Sequence, residues 1–213
     1  MKWSDITVGQ YNRIAEVTKE PDDYMIFNLI EIIFGVDAND LPVKELERYI
    51  KGMEFLNTEC KPSTPKKHYT INNKKYDSHI DLTVMTTGQF IDYQNYSKDN
   101  KIEQLLSVFI TPEGKDYGKD YNIQEVQKDL LEMPITEALS ITFFFKRQFK
   151  VFCNLFHSCL KKSIKNLKMD KEKKKEALKA LNKVDFYNLV SYPIYLNTVK
   201  QLMKDSQMPL TNQ

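Results

Sequence analysis

Glycine, cysteine and histidine are all scarce in this chain of 213 residues, with 6, 3 and 3 copies respectively. So few glycines leave few positions for the tight turns of a β-rich fold, and the composition therefore favours helices. The three cysteines are an odd number in an irregular spacing, and no apolar run follows the N-terminal methionine. We therefore expect reduced thiols, no disulfide framework and no signal peptide.

Long uninterrupted hydrophobic runs are also missing. The most apolar stretch, residues 139–160, contains Lys146, Arg147 and Lys150. A charged side chain at the centre of a bilayer costs about 2.5–3.5 kcal/mol, so three of them exclude a membrane-spanning helix. We expect no insertion into a membrane.

The charges are distributed unevenly along the chain, although the net charge is only +2. Between residues 146 and 183 there are 13 Lys and Arg against Asp170, Glu172 and Glu176, a local net charge of +10, so the remainder carries −8. A basic C-terminal third beside an acidic remainder indicates either binding to a partner or attraction between the two parts of the chain. The sequence leaves both alternatives open.

Two segments of the chain resemble each other. Val8–Tyr11 (Val-Gly-Gln-Tyr) matches Thr87–Phe90 (Thr-Gly-Gln-Phe), and each motif begins a predicted helix, the first capped by Asp5 or Thr7. Each of these helices precedes an apolar helix and then an amphipathic one. The predicted pairs are Tyr24–Phe34 with Ile102–Ile110, and a helix from Pro42 to about Leu56 with Ile123–Met133.

The predicted fold is therefore mainly α. It has two divergent copies of a small helical unit, residues 1–60 and 80–134, joined by a linker and short β-hairpin at 61–79. Asn72 and Asn73 supply the turn of the hairpin because asparagine tolerates positive φ. An alternative register, which pairs Leu41–Glu45 with Met133–Glu137, and a chance similarity of short helices remain the competing interpretations.

Residues 135–213 are predicted to form a basic C-terminal bundle built on a long helix. Apolar side chains recur every three or four residues from residue 145 to residue 167, as in a helix with one apolar stripe. The stripe includes Phe145, Phe149, Phe152 and Phe156, which are either core residues or a protein interface. A last helix is expected from Asp185 to about Met203.

No group of residues in the sequence forms a recognisable catalytic or metal site. Cys153 and His157 are one helical turn apart, but a structural zinc site needs four ligands, and core packing accounts for the cysteines better. Adjacent residues of the Asp77–His79 segment (Asp-Ser-His) would point to opposite faces of a strand, which separates a nucleophile from its base. The Gly114–Gly118 segment lacks the Lys-Ser/Thr of a phosphate-binding loop. We expect no catalysis, metal, cofactor or small-molecule substrate.

The lysine-rich part of the long helix is the one candidate nucleic-acid surface. Lys161, Lys162, Lys165 and Lys168 are suited to contacting phosphates without regard to base sequence. Arginine is almost absent nearby, and the phenylalanines do not alternate with the lysines as they do in a base-stacking platform. A solvated lysine face is the alternative.

The Trp3–Tyr11 opening, its partial repeat at Thr87–Phe90 and the Met133–Phe145 segment resemble proteins of crAss-like bacteriophages, as does the Lys-, Asn- and Tyr-rich composition. The resemblance implies a non-enzymatic virion structural or cargo protein of the portal–tail region, made in the host cytoplasm during assembly. It implies copies of the same chain and other virion proteins as partners. A tail-assembly chaperone that is absent from the mature virion is the alternative.

Overall fold

The computed structural model describes residues 1–20, 22–97, 101–167 and 169–183, without the side chains of Phe152 and Phe156. Within these residues it contains eight α-helices and one three-stranded antiparallel sheet, which confirms the mainly α class. The helices are α1 (Val8–Lys19), α2 (Met25–Phe34), α3 (Val43–Gly52), α4 (Thr87–Tyr96), α5 (Ile102–Leu106), α6 (Ile123–Leu130), α7 (Ile135–Asn166) and α8 (Lys171–Lys183). The strands are β1 (His68–Ile71), β2 (Lys74–Ser78) and β3 (Ile110–Pro112). The predicted helix from Asp185 lies outside the described residues.

The chain divides into two compact units, Met1–Phe145 and Lys146–Gln213, and the division falls within α7. The sequence-based division began the C-terminal region at residue 135, which is where α7 begins. In the second unit, α7 and α8 pack against each other through one small apolar cluster. Its members are Leu160, Ile164, Ala177, Leu178 and Leu181.

The first predicted repeat motif forms the start of α1. The hydroxyl of Thr7 accepts a hydrogen bond from the amide of Gln10 (3.2 Å), and the Gln10 side chain accepts one from the Thr7 amide (3.0 Å). This capping box satisfies two amides that the helix itself cannot pair. Thr7 is therefore the cap, whereas Asp5 belongs to the preceding short 3₁₀ helix, Trp3–Asp5.

The second motif forms α4 in the same way. Thr86 and Gln89 exchange hydrogen bonds of 3.2 and 2.9 Å, and the Gln89 side-chain amide donates to the carbonyl of Val108 (3.1 Å), just after α5. The Gln10 amide likewise donates to the carbonyl of Ile32 near the end of α2 (3.0 Å). The two motifs thus share one local structure, in which a glutamine caps its own helix and binds the end of the following one.

The glycines of the two motifs, Gly9 and Gly88, differ in how much space an added side chain would have. A Cβ at Gly9 would lie 3.3 Å from the carbonyl oxygen of Leu131, whereas a Cβ at Gly88 would meet nothing closer than the Thr86 hydroxyl at 3.9 Å. We expect Gly88→Ala to raise the free energy of unfolding by about 0.5 kcal/mol, as alanine favours helix. Gly9→Ala should lower it by about 1 kcal/mol through crowding. Urea unfolding of both variants measures the two effects, and a gain at both positions would contradict the crowding.

The close approach at Gly9 belongs to a short pairing that joins the two ends of the first unit. The amides of Val8 and Gly9 donate to the carbonyls of Met133 (2.9 Å) and Leu131 (2.8 Å), and the Ile135 amide donates to the carbonyl of Ile6 (2.8 Å). The side chains of Ile6, Val8, Met133 and Ile135 are fully buried. The pairing also explains why α6 ends at Leu130, before the predicted Met133.

The sheet begins with the predicted hairpin. Asn72 and Asn73 have φ values of 51° and 59°, which is the conformation that a two-residue hairpin turn requires. The third strand was not predicted: a helix was expected over Ile102–Ile110, but α5 ends at Leu106 and Ile110–Pro112 pairs with β2. Pairing with a strand that is distant in sequence outweighs the local helical pattern there. The helix expected to reach Leu56 ends at Gly52, and a 3₁₀ helix, Glu54–Asn57, follows it.

Candidate functional site

The first residue of the phenylalanine stripe is a core residue. Phe145 is fully buried, and its ring lies 4.4 Å from that of Phe109 and 4.6 Å from that of Tyr93, centroid to centroid. The hypothesis of an exposed interface is therefore wrong for Phe145, because its side chain has no exposed surface. Phe149 is half-buried, and the side chains of Phe152 and Phe156 lie outside the described residues.

Helix α7 exposes a different set of apolar side chains. In the second unit, Val151 and Leu155 have 53% and 62% of their surface exposed, and they share one helical face because they are four residues apart. In the first unit, Phe143 and Phe144 are exposed to 53% and 38%. The sequence pattern did not indicate these residues, because the phenylalanine stripe alone accounted for the helical periodicity.

Only two of the four lysines of the predicted nucleic-acid surface are shown to be exposed. Lys162 and Lys165 are exposed, Lys161 is half-buried, and Lys168 lies outside the described residues. The turn between α7 and α8 uses other groups: the Lys174 ammonium donates to the carbonyl of Lys165 (3.0 Å), and Asp170 accepts the amide of Lys173 (2.8 Å). These bonds cap the two helix ends.

The positive charge of the second unit exceeds what its own acids can neutralise. Between residues 146 and 183 the chain has 13 basic side chains and three acidic ones, so a surplus of ten remains even if every acid is paired. One of these acids, Asp170, lies 4.0 Å from the Lys173 ammonium in an exposed ion pair. The surface of this unit is therefore suited to attracting an acidic partner.

Helix α7 carries two cysteines and one histidine, Cys153, Cys159 and His157. Cys153 is buried, and burial raises the pKa of its thiol, whereas Cys159 is exposed and Cys60 belongs to the first unit. Among the described residues there is no group of three or more His, Cys, Asp and Glu side chains placed to hold a metal ion. The burial of Cys153 agrees with its predicted role as a small core residue.

The Asp77–His79 segment joins strands rather than forming a nucleophile and its base. Asp77 accepts hydrogen bonds from the Gly114 amide and from the His68 ring, both 2.8 Å, and these lower the pKa of its carboxyl. His79 contacts the Thr111 hydroxyl (3.0 Å). The buried Ser78 hydroxyl has no hydrogen-bond partner within the described residues. Neither neighbour is placed to activate Ser78.

No helix in the described ranges combines the length and the apolarity that crossing a bilayer requires. Comparison of the chain with protein-family models, with curated proteins and with solved structures yields no match.

Proposed function

We propose that this protein is a non-enzymatic virion structural or cargo protein of a crAss-like bacteriophage. It is associated with the portal–tail region and acts by packing against other proteins and copies of itself. The observation that carries the packing role is the exposure of Val151 and Leu155 on α7. Apolar side chains exposed next to each other favour contact with protein, because association removes them from water.

The phage setting is supported by the Trp3–Tyr11 opening, its repeat at Thr87–Phe90 and the composition. In the first unit, the repeated glutamine cap binds each motif helix to the end of the helix that follows it. A compact unit held together in this way suits a component of an assembly, because groups that are already ordered lose less entropy on binding.

The direct test is the protein content of purified phage particles. We expect mass spectrometry to find the chain in intact virions at a fixed ratio to the portal protein, since a component of a ring is present in a defined number of copies. A soluble host protein of similar abundance serves as the control for carry-over. If the chain is abundant in infected cells but absent from complete particles, the proposal fails and the assembly chaperone replaces it.

A second candidate function, nucleic-acid binding, is favoured by the surplus positive charge of the second unit. Lys162 and Lys165 are exposed on it, near the end of α7. Ammonium groups on such a surface contact phosphates and release counterions, whatever the base sequence. This function requires no catalytic group and is compatible with a position next to packaged DNA.

The test of this second candidate is a salt titration of binding to a DNA of mixed sequence, followed by fluorescence anisotropy. Each lysine that contacts a phosphate contributes about one to the slope of log K against log salt. We expect Lys162→Gln and Lys165→Gln each to reduce the slope by about one, and Lys119→Gln in the first unit to leave it unchanged. Absence of binding at low salt would exclude this function.

A further inference from the structure

The two units carry opposite charges. The residues from 184 onward include two basic and two acidic side chains, so Met1–Phe145 carries the net −8 and the second unit the net +10. Opposite charges on the two units favour contact between the basic unit of one copy and the acidic unit of another. The local structure of each unit identifies the surfaces that are suited to such a contact.

On the acidic unit, α3 and the following 3₁₀ helix border an open cleft of about 460 Å³. Its apolar lining includes Ile50, Met53 and Leu56, and its polar lining consists of the carboxylates of Glu47 and Glu54, the Lys51 ammonium and Asn57. None of the residues of α3 is fully buried, and Ile50 is 41% exposed. The cleft therefore presents apolar surface beside two carboxylates and one ammonium, a net charge of −1.

The basic unit presents a surface of matching chemistry, which we call the α7 ridge: Arg147, Val151, Leu155 and Lys162. These residues are spaced by four, four and seven positions, so they lie on one face of the helix. All four are exposed. The ridge thus has two apolar side chains in its middle and a positive charge on each side of them.

We propose that the α7 ridge of one copy docks into the α3 cleft of a second copy, with Val151 and Leu155 against Ile50 and Leu56, and with Glu47 and Glu54 facing the basic side chains. This deepens the proposed packing function, on which it rests. The ridge and the cleft are different surfaces, so the contact is head-to-tail and joins copies into a ring or an open chain. Because the cleft is small, a single contact is weak, and closure of a ring strengthens the assembly through multivalency.

The test uses full-length protein in sedimentation velocity experiments at low and high salt. We expect the wild type to form larger species as its concentration rises, and less so at high salt, because salt screens the charges. Leu155→Glu, which damages the ridge, and Ile50→Glu, which damages the cleft, should each weaken self-association by about tenfold or more, since both change the centre of the contact.

Mixing the two variants distinguishes contact of a ridge with a cleft from contact of each surface with its own counterpart. The Leu155→Glu chain keeps an intact cleft and the Ile50→Glu chain keeps an intact ridge, so the mixture should form a 1:1 complex that does not grow further. If each surface instead met its own counterpart in a symmetric dimer, mixing would restore nothing. Far-UV circular dichroism establishes that both variants keep the helical content of the wild type.

Two control variants introduce the same charge on exposed residues outside both surfaces. Ala180→Glu lies on α8, and Val43→Glu lies on α3 but does not line the cleft. Both should associate as the wild type does. A wild type that stays monomeric at every concentration in low salt, or a mixture that forms no 1:1 complex, overturns the proposal. Neither outcome affects the particle test, which is the separate measure of the proposed function.

Discussion

Phe145→Ala is expected to lower the free energy of unfolding of the first unit by about 3–5 kcal/mol, the usual cost of replacing a buried phenylalanine with alanine. The side chain is fully buried, and its ring contacts those of Phe109 and Tyr93. Removing it leaves a cavity between two rings that are themselves held by α4 and by the segment before β3. The expected loss therefore combines the free energy that burial of the ring contributes with the van der Waals contacts that are missing around the cavity.

Trp3 provides the measurement because it is the single tryptophan and belongs to the first unit. Its ring packs edge-on against Phe55 at 5.2 Å, so its fluorescence reports the unfolding of that unit in urea. Phe144→Ala is the matched control, since the same substitution at the preceding, 38% exposed position should cost about 1 kcal/mol or less. Equal effects at both positions would mean that the ring of Phe145 is not part of a packed core.

The parts of the fold that could be predicted are those encoded by neighbouring residues. The capping threonine and glutamine are three residues apart, the two hairpin asparagines are adjacent, and the stripe of α7 repeats along a single helix. The strand β3 could not be predicted in this way. Residues 102–110 have the apolar character of a helix, and Ile110 becomes a strand residue because it pairs with Ser78, far away in the sequence.

The candidate surfaces could likewise be predicted only as far as neighbouring residues encode them. Helical periodicity identifies which residues of α7 share a face, but not which face another element covers. Phe145 and Val151 illustrate the limit: both are apolar residues of one helix, yet one is fully buried and the other is 53% exposed. The α3 cleft is also invisible in the sequence, because its shape depends on where α3 ends and the 3₁₀ helix turns.

Asp129→Ala is expected to lower the free energy of unfolding by about 2–3 kcal/mol, because the change leaves buried and charged donors without their acceptor. Asp129 lies on α6 and accepts hydrogen bonds from three residues of the hairpin. They are the Lys74 ammonium at 2.7 Å, the Asn72 amide at 3.3 Å and the Tyr76 hydroxyl. Tyr76 is only 2% exposed, so its hydroxyl has no ready access to water once the carboxylate is gone. One carboxylate thus fixes the hairpin to α6.

The effect of Asp129→Ala should also depend on pH. Burial opposes ionisation of this carboxyl, but the hydrogen bonds from Lys74, Tyr76 and Asn72 outweigh it and lower its pKa. A group with a lowered pKa in the folded state contributes stability above its unfolded pKa, about 3.9, and loses that contribution as the pH falls through the folded value. The difference between wild type and variant should therefore be full at pH 6 and shrink below about pH 4.

Urea unfolding followed by Trp3 fluorescence, repeated between pH 6 and pH 3, measures this difference. Asp116→Ala is the control, because Asp116 makes an exposed ion pair with Lys119 at 3.2 Å and should contribute at most about 0.5 kcal/mol at any pH. Asp129→Asn separates charge from shape: it keeps an acceptor for Tyr76 but loses the ionic bond with Lys74, so it should fall between alanine and wild type at pH 6. A difference that stays constant from pH 6 to pH 3 would mean that the carboxylate charge does not hold the hairpin on α6.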